Sequence, residues 1–242
     1  MPLNFVSKRR EIRRIVELRA EEKTSRRMFD LLRESKTFQD FTVFFNYHVR
    51  ASNSRHLTDL VAAFFMGSNK RFLEVGAHHP VIGSDTYLLE KKFNWTGVQI
   101  EPNHKMAELL RRYRNSEVMN FALTSDKSKR LRLDSNSGKI HKFKGERVDS
   151  LNLEELIILK GHFFDAMFID IEGGEYDIIN DSKFNSFNFE FMSVERIWNY
   201  RKVESRLTSL GYKNFWKSIS GYESWWLRDP KKKGLQKEID FF

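Results

Sequence analysis

The chain has no cysteine, and its 242 residues include only 12 glycines and 4 prolines. Without cysteine there can be no disulfide, no thiolate zinc site and no cysteine nucleophile. No apolar run approaches the ~20 residues that a membrane span needs, and the N-terminus MPLNFVSKRREIRR lacks the continuous apolar stretch of a secretion signal. We therefore expect a cytoplasmic protein that is stabilised by non-covalent contacts.

Aromatic and basic residues are plentiful. The 22 Phe, 5 Trp and 7 Tyr are spread over the whole length, which argues against a disordered or low-complexity chain. Lys and Arg number 42 against 33 Asp and Glu, giving a net charge of +9. This surplus suits an anionic partner such as nucleic acid, a phospholipid surface or a phosphorylated substrate, although a merely solvated basic surface is the alternative.

Short apolar strands alternate with helical stretches from Arg71 onward. The predicted strands are RFLEVG, GVQIE, EVMNFAL, DAMFIDI and FEFMSVERI. Residues 124–148 are predicted to form a polar hairpin-like region, and residues 212–228 a closing β-hairpin. Strands that alternate with helices predict an α/β fold, with a largely parallel sheet and helices on both faces. Ligands bind such sheets at the carboxyl ends of the strands.

Two helices are predicted before this sheet. Residues 8–35 show the spacing of an amphipathic helix, and residues 54–66 repeat it up to Gly67. We therefore divide the chain into an N-terminal helical extension, 1–69, and an α/β domain, 70–242. The first helix suits self-association or contact with an anionic membrane surface, although its glutamates dilute the basic face.

The first strand ends in a glycine turn at Gly76. A Walker A loop is excluded because Gly76 and Gly83 enclose six residues and no lysine follows, and His78 breaks the dinucleotide fingerprint. The second strand ends in Glu101, where a carboxylate can bind the two hydroxyls of a ribose. The alternative for Glu101 is simple stabilisation of the helix that follows.

Two further carboxylates, Asp170 and Glu172, follow the strand DAMFI and precede two glycines. Side chains at i and i+2 on a strand project the same way, so the pair suits a general base or a divalent cation. The alternative is an acidic helix N-terminus.

Several of these segments together carry a resemblance. The text FLEVGAHHP, GVQIEPN, NFALTSD, RVDSL, MFIDIEGGEYDII and FMSVERIW resembles the FkbM-type family of S-adenosylmethionine-dependent O-methyltransferases over roughly residues 70–215. Its most specific element is IDIEGGE, which is similar to the family's IDVEGAE. The resemblance implies a Rossmann-like seven-stranded methyltransferase sheet, mostly parallel with an antiparallel last strand.

The resemblance also implies a binding site for S-adenosylmethionine. Its methionine part would lie against Glu74, Gly76 and Ala77, and its ribose against Glu101. Its adenine would lie between Asn120, Ala122 and Leu123. Asp170 and Glu172 would face the methyl group of the cofactor and the acceptor. Pro80 departs from the small residue that many methyltransferases have there, which leaves the roles of His78 and His79 open.

Methyl transfer to a hydroxyl needs a group that removes its proton. Our candidate catalytic residues are Asp170, Glu172, His78 and His79, and a Mg²⁺ or Mn²⁺ ion held by the two carboxylates and a nearby histidine is an alternative. The resemblance implies a saccharide acceptor, methylated on a hydroxyl of a glycan, glycolipid or glycoside. A nucleic-acid methyltransferase is the second hypothesis, although the chain lacks the N/D-P-P-Y/F motif at the fourth strand, and a non-catalytic cofactor-binding scaffold is the third.

Polar and aromatic residues near the strand ends are expected to form the acceptor rim. They are His78, His79, Ser84, Asp85, Tyr87, Asp170, Glu172, Arg196, Trp198 and Tyr200.

Overall fold

The computed structural model describes residues 26, 28, 30–125, 131–134, 139–141, 145–196, 199–217 and 219–229. The helices of this part are α1 (Lys36–His48), α2 (Thr58–Met66), α3 (Tyr87–Phe93), α4 (His104–Tyr113), α5 (Leu153–Lys160), α6 (Glu175–Asn180) and α7 (Tyr200–Ser209), with 3₁₀ turns at Val49–Ala51 and Ser182–Ser186. The strands are β1 (Arg71–Val75), β2 (Thr96–Ile100), β3 (Glu117–Met119), β4 (Ala122–Leu123), β5 (Leu131–Leu133), β6 (Ile140–His141), β7 (Glu146–Val148), β8 (Ser150–Leu151), β9 (Ala166–Ile169), β10 (Phe191–Glu195), β11 (Lys213–Phe215) and β12 (Glu223–Leu227).

Seven strands form the central sheet in the order β3-β2-β1-β9-β10-β12-β11. The pairs from β3 to β10 are all parallel, whereas β12 runs antiparallel to both of its neighbours. Val75 lies opposite both Ile100 and Ile169, and Ile169 lies opposite Val194. The strands therefore end at one common edge, and the predicted sheet is confirmed.

The sheet is buried on both faces because successive strand residues point to opposite sides. On one face Leu73 and Met167 pack with α5, α6 and α7, and on the other Phe72 and Phe168 pack with α1 and α2. Two apolar layers enclosing a sheet hold its strand ends rigidly at the common edge.

An aromatic layer covers the face on the side of Phe72. Phe38 and Phe41 of α1 contact the buried ring of Trp216, with ring centroids 5.0 and 4.9 Å apart. Helix α1 begins with a hydrogen bond from the Phe38 amide to the Ser35 hydroxyl, 2.8 Å long. Residues 36–66 thus share a core with the sheet, and the domain boundary at residue 70 stays a prediction.

The N-terminal helix predicted over 8–35 falls mainly outside the described residues, of which 30–34 are helical. The association of this helix with a membrane surface or a second copy stays a prediction. No helix within the described ranges combines the length and the apolar character needed to cross a membrane.

Two predicted elements differ in detail from the structure, and one helix was not predicted. Helix α2 starts only at Thr58, after an irregular loop over 52–57, and α1 was not predicted at all. The predicted strand over 117–123 is broken, because β3 joins the central sheet whereas β4 pairs with β8. Within the predicted hairpin-like region, the described strands β5, β6 and β7 pair antiparallel.

Candidate active site

A cavity of about 800 Å³ opens at the carboxyl edge of the central sheet. This volume lies within the range of about 300–1,000 Å³ that is usual for ligand sites. Most of the site residues predicted from the sequence line it: Glu74, Gly76, Ala77, His78, His79, Glu101, Ala122, Leu123, Asp170 and Glu172. The structure thus brings together side chains that are up to about a hundred residues apart in the chain.

Gly76 forms the turn at the end of β1 with a left-handed φ of +86°. A Cβ atom at this position would lie 1.8 Å from the carbonyl oxygen of Asp170. The Gly76 amide also donates to the carbonyl oxygen of Ile100, 2.9 Å away. Only glycine fits here, so the backbone itself forms the floor between the ends of β1 and β9.

Glu101 lies beside this turn and is 5% exposed. Its Oε2 accepts a hydrogen bond from the His78 amide and its Oε1 one from the Asn103 amide, each 2.7 Å long. Burial raises the pKa of this carboxyl despite these two bonds. Since a carboxylate has about four lone-pair sites, Glu101 keeps capacity for two ribose hydroxyls.

Glu74 lines the cavity from within β1 and is also 5% exposed. Its Oε2 accepts hydrogen bonds from Thr86 Oγ1, 2.7 Å away, and Gln99 Nε2, 2.5 Å away. Burial raises its pKa. These contacts fix Glu74 to the neighbouring strand and to the loop before α3.

Asn120 does not line the cavity, whereas Phe121, Ala122 and Leu123 do. The amide of Asn120 donates to the carbonyl oxygens of Glu101 and Pro102, at 2.8 and 3.1 Å. The structure therefore places Asn120 behind the loop that follows β2, and its assignment to the adenine stays a prediction. Phe121, an aromatic surface for a base, was missed.

The two histidines of the first loop differ in their contacts. Nδ1 of His79 accepts hydrogen bonds from the amides of Val81 and Ile82, at 3.1 and 2.9 Å. These bonds place the proton of the neutral ring on Nε2, so this ring caps the loop and is not free to act as a base through Nδ1. His78 is exposed and has a left-handed φ of 48°. Catalytic roles for either ring stay predictions.

Three carboxylates meet at the ends of β9 and β10. Asp170 follows β9, Glu195 ends the adjacent β10 and Glu175 begins α6, and one oxygen of each lies within 4.8 Å of the others. Burial, followed by the charge of Asp170, raises the pKa of Glu195 to about 8. Glu172, with a left-handed φ of 59°, is exposed at the cavity wall and is not part of this group.

Of these three carboxylates, Asp170 was predicted from the sequence, whereas Glu175 and Glu195 were missed. Glu195 could have been found from its position, because it ends the strand FEFMSVE predicted after DAMFIDI and adjacent parallel strands end side by side. Glu175 lies within IDIEGGE, but a residue at the start of a helix is usually exposed.

Arg55, His56 and Tyr222 are among the lining residues that were not predicted from the sequence. The loop that carries Arg55 and His56 is held by a hydrogen bond from Ser54 Oγ to Asp85 Oδ1, 2.6 Å long, and by a bridge between Ser54 and Gly83. The ring centroids of His56 and Tyr222 lie 5.8 Å apart. Burial, followed by the charge of Arg55, lowers the pKa of His56. Arg55 and His56 were missed because residues 54–66 were predicted to form a helix.

The predicted acceptor rim is formed only in part. Ser84 and Asp85 line the cavity, whereas Tyr87, Arg196 and Tyr200 do not. Instead Arg196 donates to Ser220 Oγ, 2.6 Å away. Trp198 lies outside the described residues.

The fold and the site together define a class of protein. A seven-stranded sheet with one antiparallel strand, a glycine turn after β1 and an acidic residue after β2 make a methyltransferase of the Rossmann-like type. Residues 74–213 match the family model described as the Methyltransferase FkbM domain. Because this match spans more than half of the chain, the chain belongs to the FkbM methyltransferase family and is a methyltransferase.

Solved structures of similar fold include three methyltransferases. A TehB-like SAM-dependent methyltransferase from Corynebacterium glutamicum ATCC 13032 Kitasato is 8% identical, with 78% of this chain and 96% of that chain covered and a TM-score of 0.43. A methyltransferase from Pyrococcus furiosus is 16% identical, with coverage of 69% and 79% and a TM-score of 0.38. Precorrin-6y C5,15-methyltransferase from Geobacter metallireducens GS-15 is 11% identical, with coverage of 69% and 84% and a TM-score of 0.39. No curated protein matches the chain.

The cavity fits the S-adenosylmethionine cofactor of this family. Its floor at Gly76 lets a ligand approach the backbone, Glu101 offers oxygens to a ribose, and Phe121 to Leu123 offer an apolar surface to a base. When bound, this cofactor supplies a methyl group activated by a sulfonium.

Proposed function

We propose that this methyltransferase uses S-adenosylmethionine to methylate a sugar hydroxyl of a glycan, glycolipid or glycoside. The observation that carries the proposal is the composition of the cavity lining. Carboxyl groups lie there together with the ring of Tyr222 and with Arg55 and His56. Carboxylates accept hydrogen bonds from sugar hydroxyls, and an aromatic face suits the apolar side of a sugar ring.

The hydrogen-bonding character of the cavity supports a sugar over a nucleic acid. The lining includes Arg55 and Lys139, but carboxyl groups outnumber these cations: they include Asp85, Asp170, Glu172, Glu195 and Glu223. The hydroxyls of a neutral polyol can donate hydrogen bonds to these groups, whereas an ionised phosphodiester has no hydrogen to donate. The net charge of +9 supports nonspecific binding of polyanions.

The proposed reaction needs a proton acceptor next to the attacking oxygen. The hydroxyl oxygen forms the new C–O bond while the S–C bond breaks, and the electron pair of that bond stays on sulfur. The hydroxyl proton passes to a carboxylate, for which Asp170, exposed in the cavity with Glu195 beside it, is positioned. A positioned base contributes about 10²–10⁴-fold to such a step.

Transfer of a labelled methyl group by the full-length chain tests this function. The purified protein is incubated with labelled S-adenosylmethionine and, separately, with glycosides, glycolipids, RNA and DNA. We expect label on a saccharide-containing fraction and none on nucleic acid. Label on RNA or DNA alone would replace the proposal by a nucleic-acid methyltransferase, and cofactor binding without any labelled product would replace it by a scaffold.

Salt separates true acceptors from adventitious polyanions. Binding through six or more phosphates should weaken by about 10³-fold between 50 and 200 mM salt. Transfer to a glycoside should change far less over the same range. A reaction with the glycoside that also collapses over this range would contradict recognition through hydroxyls.

A further inference from the structure

The acidic group at the ends of β9 and β10 consists of Asp170, Glu175 and Glu195. The methyl-transfer proposal needs only one of these three carboxylates. Asp170 alone would serve as a proton acceptor, yet Glu175 and Glu195 also present an oxygen within 4.8 Å of it and of each other. Three carboxylates this close repel one another strongly when ionised, and the repulsion must be relieved by protons or by a cation.

The contacts of Glu175 indicate a ligand for this group. Its side chain is completely buried, at 0% exposure. One oxygen, Oε1, accepts hydrogen bonds from the amides of Ile171 and Gly173, at 2.9 and 3.2 Å, whereas Oε2 has no hydrogen-bond partner. A buried carboxylate oxygen without a partner is costly.

Glu195 repeats the same feature from the neighbouring strand, because its Oε2 is also buried without a partner. In the described part of the chain, none of the ion pairs includes Asp170, Glu175 or Glu195. The nearest arginine in sequence, Arg196, is turned to Ser220 and to the carbonyl oxygen of Gly221.

We propose that Asp170, Glu175 and Glu195 form a binding site for a divalent cation at the acceptor end of the cavity. Three carboxylate oxygens without histidine or cysteine favour a hard ion. Three protein ligands suit Mg²⁺ or Mn²⁺, which keep several waters, better than Ca²⁺, which takes six to eight oxygens. Asp170 and Glu195 both line the cavity, so the remaining positions of the ion face the acceptor.

This site differs from the one expected from the sequence, which combined Asp170 and Glu172 with a histidine. The cation binding itself is independent of the proposed function, but a role for the ion in orienting a sugar hydroxyl rests on it. A cation there would also neutralise the carboxylates that face the acceptor.

Direct titration of the full-length chain with Mn²⁺ tests the site, with the free ion followed by electron paramagnetic resonance. We expect saturable binding near one equivalent, competed by Mg²⁺. Glu175→Gln and Glu195→Gln should each weaken binding by at least about tenfold. The matched control is Glu190→Gln, which removes a carboxylate charge just before β10 at an exposed residue that does not line the cavity, and it should change binding by less than about twofold.

Absence of saturable Mn²⁺ binding up to millimolar concentration would overturn the inference, as would unchanged binding in Glu195→Gln. Glu195 is partly exposed, so it decides the outcome if Glu175→Gln fails to fold. Mn²⁺ binding without methylation of any acceptor would retain the cation site and refute the proposed function. Methylation that persists in EDTA, by a protein that binds no Mn²⁺, would refute the cation site and retain the proposed function.

Discussion

Two carboxylates, the buried Glu90 and the partly exposed Glu195, have opposite environments. The side chains of Glu90 and Arg114 are 3% and 0% exposed and lie 3.2 Å apart. Glu90 also accepts hydrogen bonds from the Asn115 and Ser116 amides. Glu195 shares its space with Asp170 and Glu175 and has no cationic partner among the described residues. The partners of Glu90 let it stabilise the fold, whereas the unpartnered Oε2 of Glu195 supports the proposed cation site.

The pKa values express the same contrast. Burial opposes ionisation of Glu90, but hydrogen bonds from Lys91, Ser116 and Asn115 and the charge of Arg114 hold its pKa at about 2. Burial and the charge of Asp170 raise the pKa of Glu195 to about 8. The two regions should therefore respond in different ways to mutation, ligand and pH.

Removal of Arg114 should have the largest effect. Arg114→Leu removes the buried cation beside Glu90, which keeps only its partly exposed ion pair with Lys91. The change also frees the loop that Arg114 holds through Pro80, Ser84 and Thr86. We expect a loss of about 3–5 kcal/mol in the free energy of unfolding, measured by urea denaturation. The double variant with Glu90→Leu should recover part of the loss. A loss below 1 kcal/mol would show that Glu90 and Arg114 are not coupled.

Asp170→Asn tests the acidic group at the ends of β9 and β10 through its effect on activity. The change removes a proton acceptor but keeps the shape of the side chain, so kcat should fall by about 10²-fold or more while S-adenosylhomocysteine binding is kept. Glu190→Gln is the control and should retain kcat, because Glu190 is exposed and does not line the cavity. Near-normal turnover of Asp170→Asn would return Asp170 to a role in supporting the start of α6.

The environment of Glu101 is intermediate between those of Glu90 and Glu195, because Glu101 has two amide partners and still lines the cavity. Glu101→Ala should weaken S-adenosylhomocysteine binding by roughly 1.5–3 kcal/mol in calorimetry, since hydrogen bonds to a charged group are lost. Asn120→Ala is the matched control, because Asn120 holds the same loop without facing the cavity. Equal losses in both variants would mean that Glu101 acts only by positioning the loop.

The smallest effect is a difference in pH dependence. Because the folded pKa of Glu195 lies above its ordinary value of 4.5, its contribution to stability is complete below about pH 4.5 and is lost as the pH rises through 8. In EDTA the free energy of unfolding should fall by on the order of 2 kcal/mol from pH 5 to 9, and Glu195→Gln should flatten this slope.

Glu90 should give the opposite sign. Its folded pKa of about 2 means that its contribution is present above pH 4.5 and is lost as the pH falls toward 2. Glu90→Gln should therefore alter only the acid limb of the stability curve. A Glu195→Gln variant with the wild-type slope at alkaline pH would contradict the contrast between the two carboxylates.

Local sequence patterns were sufficient where one strand or one turn decides the structure. The strand RFLEV, the turn at Gly76 and the carboxylates at Glu101 and Asp170 lie at the predicted edge. These positions could be predicted because parallel strands share one carboxyl edge. The roles assigned to them in binding and catalysis stay predictions.

Patterns failed where partners are distant in the chain. Helix α1 was missed although Phe38, Phe41 and Phe45 have the i, i+3, i+7 spacing of a helix. The packing partner of Phe38 and Phe41 is Trp216, far along the chain, and no local pattern predicts that contact. His56 reaches the cavity only because Ser54 is fixed to Asp85 and Gly83. Contacts of this kind depend on tertiary structure and leave no local periodicity.

The backbone contact at Gly76 has a consequence for precision. No side chain separates the turn that would cradle the methyl donor from the carbonyl of Asp170. The spacing between the donor loop and the acceptor loop is therefore set by direct main-chain contact and by the hydrogen bond from the Asp170 amide to the Val75 carbonyl oxygen, 3.0 Å long. These contacts cannot repack as a layer of side chains can. Substitutions elsewhere in the core can change how firmly the two loops are held, but the distance between the loops depends on main-chain atoms.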